Sequence, residues 1–371
     1  MKFSLDQASF MREIALLQGV IEKKSTFPIL HHVLLTATEE GRVTMVATDL
    51  EVGFRSEVAA TVTTPGRAAV PARRLYEVLR RLPAGNLLIR LEGSAFHIEC
   101  DRIKYKLTTQ EPDQFPAVRT REGSPQAVVA SDLLAEMIKM ILFAITTDDP
   151  RYTLGGAQWE FSEDQLTMVA TDGHRLSISS RPAQQVGKDF PVVLVPRTAL
   201  RELQRLASDH EGDVYLWANS GSLIALVGHR EITTTLQENH RFPDYRRVIP
   251  QNNDKIFEIG THAMRDAVDR ASVLRDEETK LVRIELKKDL LRVLAVNDKF
   301  GSAQEEVNVA YPGAEIEIGF NAQYLLDFLN NVGTEQVRVL LGEPMGQGLF
   351  EPVRPAEDRR HDRYVVMPMA L

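Results

Sequence analysis

The chain has 371 residues, 43% of them apolar and 26% charged, with a net charge of −8. Its single cysteine, Cys100, excludes an internal disulfide framework and any multi-cysteine metal site. No run of about 18 apolar residues could span a membrane, and acidic residues interrupt the N-terminal MKFSLDQASFMRE before any signal-like apolar stretch, so the cytoplasm is the expected compartment.

In chain order, a helix is expected over residues 6–18, followed by alternating runs such as RVTMVAT that read as antiparallel strands. The segment TMVATDLEVGFR (44–55) holds a Thr-Asp turn. Val70-Pro71-Ala72-Arg73-Arg74-Leu75 then opens a second helix of about 12 residues, roughly 18 Å long, because proline is tolerated in the first helical turn. NLLIRLE and FHIECDRIKYKLTT return to strand alternation, with Cys100 as a packing residue, and Phe115-Pro116 follows.

The same order then recurs. Ser131 is expected to cap a helix over 131–143, TMVATDGHRLSIS (167–179) repeats the turn, Val195-Pro196-Arg197 opens a second helix, and Phe242-Pro243 follows. In a third pass Thr261 caps a helix over 261–274, LRVLAVNDKFGSAQ (291–304) is a fainter copy of the turn, and Asn321 caps the last helix. Asp49, Asp172 and Asp298 mark the turns at spacings of 123 and 126, and Pro71, Pro196 and Asn321 are each 125 apart. A period this long is a whole domain. The expectation is an α+β chain of three repeats, each with two helices and antiparallel strands, divided as 1–122, 123–250 and 251–371.

Charge is not spread evenly. The six helical segments total +3, which leaves −11 for the rest, and the second helices of repeats one and two carry Arg73, Arg74, Arg80, Arg81 and Arg197, Arg201, Arg205. A conventional DNA-binding domain is basic overall, so only a basic surface local to these helices could meet phosphate.

The chain contains no phosphate-loop, dinucleotide, serine-hydrolase or zinc-protease signature. Asp172 and His174 have the spacing of an acid–base pair, which makes a hydrolase or transferase one reading. Against it, the first repeat keeps the Asp as Asp49 and has no His, which favours a turn in which the Asp side chain binds its own backbone and Gly173 supplies a permissive position. His174 and Arg175 occur in one repeat only, so they serve something beyond the shared fold. The C-terminal Tyr364-Val365-Val366-Met367-Pro368-Met369-Ala370-Leu371 is apolar where chain ends are usually polar; 364–366 is expected to be an edge strand, with the rest lining a groove for a partner.

With MKF at the start, TDGHRL, RFPDYRRV (241–248), IGFNAQYLLDFLN and the terminal YVVMPM, the chain resembles the bacterial sliding clamp family, the beta subunits of DNA polymerase III, over its full length. That resemblance implies a head-to-tail homodimer in which six domains close a ring around double-stranded DNA, without enzymatic activity, cofactor, metal or membrane contact. It implies docking of the DNA polymerase III catalytic subunit, the clamp loader complex, and other polymerases and repair proteins through a peptide groove between the second and third domains. The groove positions would be Leu154, Thr171, Gly173, His174, Arg175, Leu176, Pro243, Arg247 and Val248, with Asn321, Tyr324, Met345, Val365, Val366, Met367, Pro368 and Met369 from the third domain. The DNA-facing positions would be Lys24, Arg73, Arg151, Tyr152, Arg197 and Arg205. At the dimer seam Val273 and Leu274 would meet Tyr105 and Leu107 of the other chain. This chain has Ala370 where the family usually has a basic residue, fewer acids after the third turn, and a loop over 342–363 that is longer and richer in Pro and Arg. The alternative to a clamp is a protein-interaction scaffold that does not encircle DNA.

Overall fold

The computed structural model describes residues 1–21, 26–146, 155–162, 164–185, 190–219, 221–236, 242–276 and 278–371. Helix α1, Gln7–Leu17, starts where the Asp6 carboxylate accepts the Ser9 N–H at 2.8 Å, and it buries Phe10, Ile14 and Leu17 along one face. Helix α2, Ala72–Leu79, buries Leu75, Val78 and Leu79 and turns Arg73 and Arg74 outward. Helices α3, Ser131–Leu142, and α4, Arg197–Ser208, follow in the middle repeat, then α5, Thr261–Ala271, and α6, Ala322–Leu329. Asn321 caps α6 as expected, accepting the Gln323 N–H at 2.9 Å.

Three expectations about these helices need correction. Of the second helices of the repeats, α2 and α6 have 8 residues each, about 12 Å of rod, and α4 alone reaches the expected 12. The first is stopped by Pro83 soon after its Arg80 cap, and the last by Asn330 and then Gly333 at φ +70°. Ser131 and Thr261 are first helical residues, not side-chain caps: Gly260 holds the cap position of α5, and the Thr261 hydroxyl donates to Thr334 O at 2.7 Å.

Two compact units partition the chain, one of Met1–Asp132, Gln185–Pro191 and Thr198–Glu238, the other of Leu133–Gln184, Val192–Arg197 and Asn239–Leu371. In the first, antiparallel strands run in the order Ala127–Ala130, Asp213–Asn219, Ser222–Val227, Arg230–Thr235, Val52–Ala59, Arg42–Thr48, His32–Thr38, Gly66–Pro71. A smaller sheet orders Thr61–Thr64, Lys2–Asp6, Asn86–Glu92, Ala95–Cys100 and Ile103–Thr108, which leaves Ile103–Thr108 at an edge and Cys100 buried.

The second unit repeats the plan. Its long sheet runs Val193–Pro196, Gly156–Ser162, Gln165–Thr171, Arg175–Pro182, His361–Val366, Gly348–Pro352, Gln336–Leu341, Lys255–Gly260, and its small sheet runs Gly301–Asn308, Leu290–Asn297, Leu281–Lys287, Ile316–Asn321. The C-terminal strand is therefore interior, not the edge strand its terminal position suggested. Its two partners come from different repeats, so both rows of its backbone groups are hydrogen-bonded. Tyr364 anchors it, stacked on Phe328 at 5.1 Å between ring centroids and meeting Phe143 edge-on at 5.5 Å.

The repeat turns are side-chain turns. Asp49 Oδ1 accepts the N–H groups of Glu51 and Val52 at 2.9 and 2.7 Å, and Asp172 Oδ1 accepts those of His174 and Arg175 at 2.9 and 3.0 Å. In the third repeat the acceptor is Asn297, not Asp298, receiving Lys299 and Phe300 at 3.0 and 3.2 Å. That places the third turn 125 residues after Asp172, the spacing of the helix landmarks.

Candidate functional site

A cavity of about 190 Å³ opens in the second unit where four short segments converge. The Asp172 turn contributes Thr171, Gly173 and His174, and the strand leaving it contributes Arg175 and Leu176. The chain after Phe242 adds Pro243, Asp244, Tyr245 and Val248, and the C-terminal strand adds Val365 and, just beyond it, Met367. Val169, Leu176, Ile178, Tyr245, Leu349 and Val365 pack together as its apolar floor.

Each wall is held by local chemistry. Gly173 sits at φ +89°, a conformation that costs an ordinary residue about 1 kcal/mol or more. The Thr171 hydroxyl accepts from Gly173 N–H and donates to Arg175 O, closing the turn a second time. Met367 N–H donates to His174 O at 2.9 Å, fastening the tail to the turn. Beside the cavity, the Tyr245 hydroxyl donates to the Glu160 carboxylate, which also takes Arg246 at 2.7 Å; burial first, and Glu160 second, push the Tyr245 phenol above its ordinary range.

Arg175 is mostly buried and serves as a joint. Its Nε donates to Asp172 at 3.0 Å, one Nη to Asp327 of α6 at 2.5 Å and the other to Phe143 O at 2.5 Å, while its guanidinium lies over the Tyr324 ring at 4.3 Å. Burial opposes its charge, but Tyr364, Asp327 and Asp172 outweigh that and leave it more firmly protonated than an ordinary arginine. All three of its nitrogens bond to the protein, so it braces the cavity that it also lines. The Asp172 carboxylate is similarly engaged by two backbone amides and Arg175, which leaves it poorly suited to act as a base for His174.

Of the anticipated groove residues, Thr171, Gly173, His174, Arg175, Leu176, Pro243, Val248, Val365 and Met367 line the cavity. Arg247 lies beside it, exposed and paired with Asp244 at 2.9 Å. Val366 packs into the core of the third repeat, Asn321 caps α6, and Tyr324 underlies Arg175. Met345 is 66% exposed, and Pro368 and Met369 follow the strand, with Met369 N–H donating to Gly319 O. Leu154 lies outside the described residues. Asp244, Tyr245 and Asp327 escaped the sequence reading; Tyr245 was the most accessible of them, standing in the quoted RFPDYRRV segment, whereas nothing local marks Asp327 as a partner of Arg175.

Among the anticipated DNA-facing residues, Lys24, Arg151 and Tyr152 lie outside the described residues. Arg73 is 83% exposed beside Glu77. Arg197 opens α4, its backbone N–H bonded to Gly155 O. Arg205 is tied down, donating to Leu16 O and pairing with Glu202, each at 2.5 Å. Of the seam candidates, Tyr105 and Leu107 sit half-buried on the edge strand Ile103–Thr108, Val273 is 79% exposed, and Leu274 is half-buried next to it. Phe300, 72% exposed, adds apolar surface at the turn leading into the edge strand Gly301–Asn308.

Family models described as the N-terminal, central and C-terminal domains of the DNA polymerase III beta subunit match residues 1–119, 128–244 and 246–370. Curated beta sliding clamps are similar from end to end: that of Pseudomonas aeruginosa is 35% identical over 373 residues and that of Escherichia coli 32% over 375, each alignment covering 100% of both chains. The crystal structure of the P. aeruginosa DNA polymerase III subunit beta superposes with a TM-score of 0.93 at 34% identity, and that of the Caulobacter crescentus sliding clamp with 0.90 at 31%, again with 100% of both chains covered.

Proposed function

The chain belongs to the DNA polymerase III beta subunit family, the beta sliding clamps, and from that premise we propose that it is a replication processivity factor: a ring that encircles duplex DNA without reading its sequence and tethers DNA polymerase III to it. The observation that carries this reading is the end-to-end similarity to clamps through all three repeats. The repeats divide as 1–122, 123–250 and 251–371. Two chains join head to tail, an arrangement that closes on itself only because three domains per chain each turn through about 60°. Exposed arginines such as Arg73 meet backbone phosphate without base contacts, which gives binding that tolerates any sequence, while the acidic remainder discourages DNA from coating the outside.

The seam pairs the edge strand Ile103–Thr108 of one chain with Gly301–Asn308 of the other, so that Tyr105 and Leu107 cover Val273, Leu274 and Phe300. Glu305 and Glu306 are already paired within their own chain, with Arg270 at 2.9 Å and Arg292 at 2.8 Å, so apolar burial and strand pairing contribute more to this seam than charge. The partner groove is the cavity described above. Its guests are extended peptides with apolar anchors, carried by the polymerase catalytic subunit, the clamp loader and other polymerases and repair proteins. The role is not catalytic. Among the described residues no helix is long and apolar enough to cross a membrane, and the cytoplasm is the proposed site of action.

Retention on DNA tests the ring. Loaded protein should stay on a nicked circle through a high-salt wash and leave when the circle is cut to a line. Loss from both forms alike would leave only the scaffold reading. At the seam, Val273→Ala with Leu274→Ala should convert the dimer mass to that of a monomer in sedimentation.

A further inference from the structure

The C-terminal strand places Val365 and Met367 at the cavity, but its opposite end holds a feature that the cavity does not need for contact. Asp362 has no exposed side-chain surface. A carboxylate buried this completely is tolerable only when its oxygens are filled. Here Oδ1 takes the Ser179 hydroxyl at 2.6 Å and one Nη of Arg181 at 2.8 Å; Oδ2 takes the other Nη of Arg181 at 3.0 Å and Arg354 at 2.8 Å. Arg181 comes from the strand that pairs with His361–Val366, and Arg354 from the Arg-rich loop preceding it. That loop is closed on itself, because Arg360 forks onto Asp358 at 2.7 Å and holds its carboxyl down to about pKa 2. Glu136 of α3 completes the set, 3.5 Å from both Arg181 and Arg360.

The consequence is register. Asp362 lies directly opposite Ser179, and Val365 opposite Leu176. A slip of one residue would exchange the faces of Tyr364 and Val365, and a slip of two would keep the faces but move Met367 away from His174. On the cavity-facing side Val365 and Met367 are both apolar and discriminate weakly against the second slip, so there the register rests on Tyr364, stacked on Phe328 on the other face, and on Asp362. The buried carboxylate discriminates strongly, because any slip withdraws it from both guanidiniums. We infer that Asp362, clamped by Arg181 and Arg354, is a positioning residue that sets which C-terminal residues reach the partner groove. This rests on the proposal that the cavity is that groove.

The test uses the full-length dimer and a fluorescein-labelled, uncharged five-residue peptide with two leucines as apolar anchors. Asp362→Asn should weaken the peptide at least tenfold and speed exchange of the Met367 amide, with the dimer mass unchanged. Counting from the 174–367 hydrogen bond, Ser179 and Asp362 form a non-hydrogen-bonded pair, the closer of the two antiparallel spacings, so cysteines at both positions can be bridged. The oxidised Ser179→Cys/Asp362→Cys protein should bind within about threefold of wild type, and reduction should lose that binding again; a merely stabilising ion cluster would not be replaced by a covalent pin. Wild-type affinity together with wild-type Met367 protection in Asp362→Asn overturns the inference. If wild type itself ignores the peptide while Asp362→Asn still deprotects Met367, the pin stands and the groove assignment fails.

Discussion

Where the Arg230–Thr235 strand pairs with Val52–Ala59, and where His361–Val366 pairs with Arg175–Pro182, the backbone does the same thing twice. Thr235 N–H donates to Glu51 O at 2.8 Å in the first case, and Met367 N–H to His174 O at 2.9 Å in the second. Most of the matching side chains differ, Ser56 and Ser179 being an exception. Thr233, Thr234 and Thr235 stand where the second junction has Val365, Val366 and Met367, and Val52 stands where it has Arg175. In the first junction Val118 rests on Gly53 so closely that a Cβ there would lie 2.4 Å from it, and the Thr233 hydroxyl ties Arg119 O down at 3.0 Å. In the second, Leu176 replaces that glycine, Tyr245 is turned to Glu160, and a cavity remains. One repeated backbone thus carries polar hollows lined by residues such as Arg119, Glu122, Arg55 and Glu231 at the first junction and an apolar cavity at the second, and a few side chains decide which.

This contrast can be broken by mutation, and the largest effect belongs to the tail. Deleting Met367–Leu371 should reduce probe-peptide binding below detection, because the residue bonded to His174 O and the apolar rim leave together; sedimentation should still give a dimer. Giving the second junction the first one's chemistry, Val365→Thr with Met367→Thr, should cost about 2 kcal/mol of binding, or roughly thirtyfold in Kd by fluorescence polarisation. A loss under threefold would show that the apolar floor is not what holds the guest.

Next comes the joint absent from the first junction. Asp327→Ala frees one side of Arg175 and should weaken peptide binding about tenfold while lowering stability by about 1–2 kcal/mol in urea unfolding. The smallest effect concerns the turns. Leu50 adopts φ +79° where the second repeat has Gly173, and it is exposed, so Leu50→Gly should stabilise the fold by about 1 kcal/mol with no change in peptide affinity. Unchanged or reduced stability would mean that Leu50 makes contacts worth its strain.

The triplication, the α+β class, the Asp49 and Asp172 turns and the Asn321 cap were legible in the sequence, because each depends on residues only a few positions apart or on a pattern that repeats. A side-chain turn needs one acceptor and the two amides that follow it, and hydrophobic alternation needs only one strand. Apart from the third turn, what the sequence misjudged involves distant partners. The tail looked like an edge strand because a terminus has no successor, yet it lies between strands of two repeats. Asp298 looked like the third landmark, and the neighbouring Asn297 takes the role. Arg175 lines the cavity as expected, but its bonds to Asp327 and Phe143, distant in sequence, were not legible. Asp362 is one acid among many in a charged stretch until burial removes water and leaves Arg181 and Arg354 to neutralise it. Local chemistry fixes which elements form. Desolvation, which exists only once distant segments pack, decides which charges must pair and which apolar surface is left uncovered.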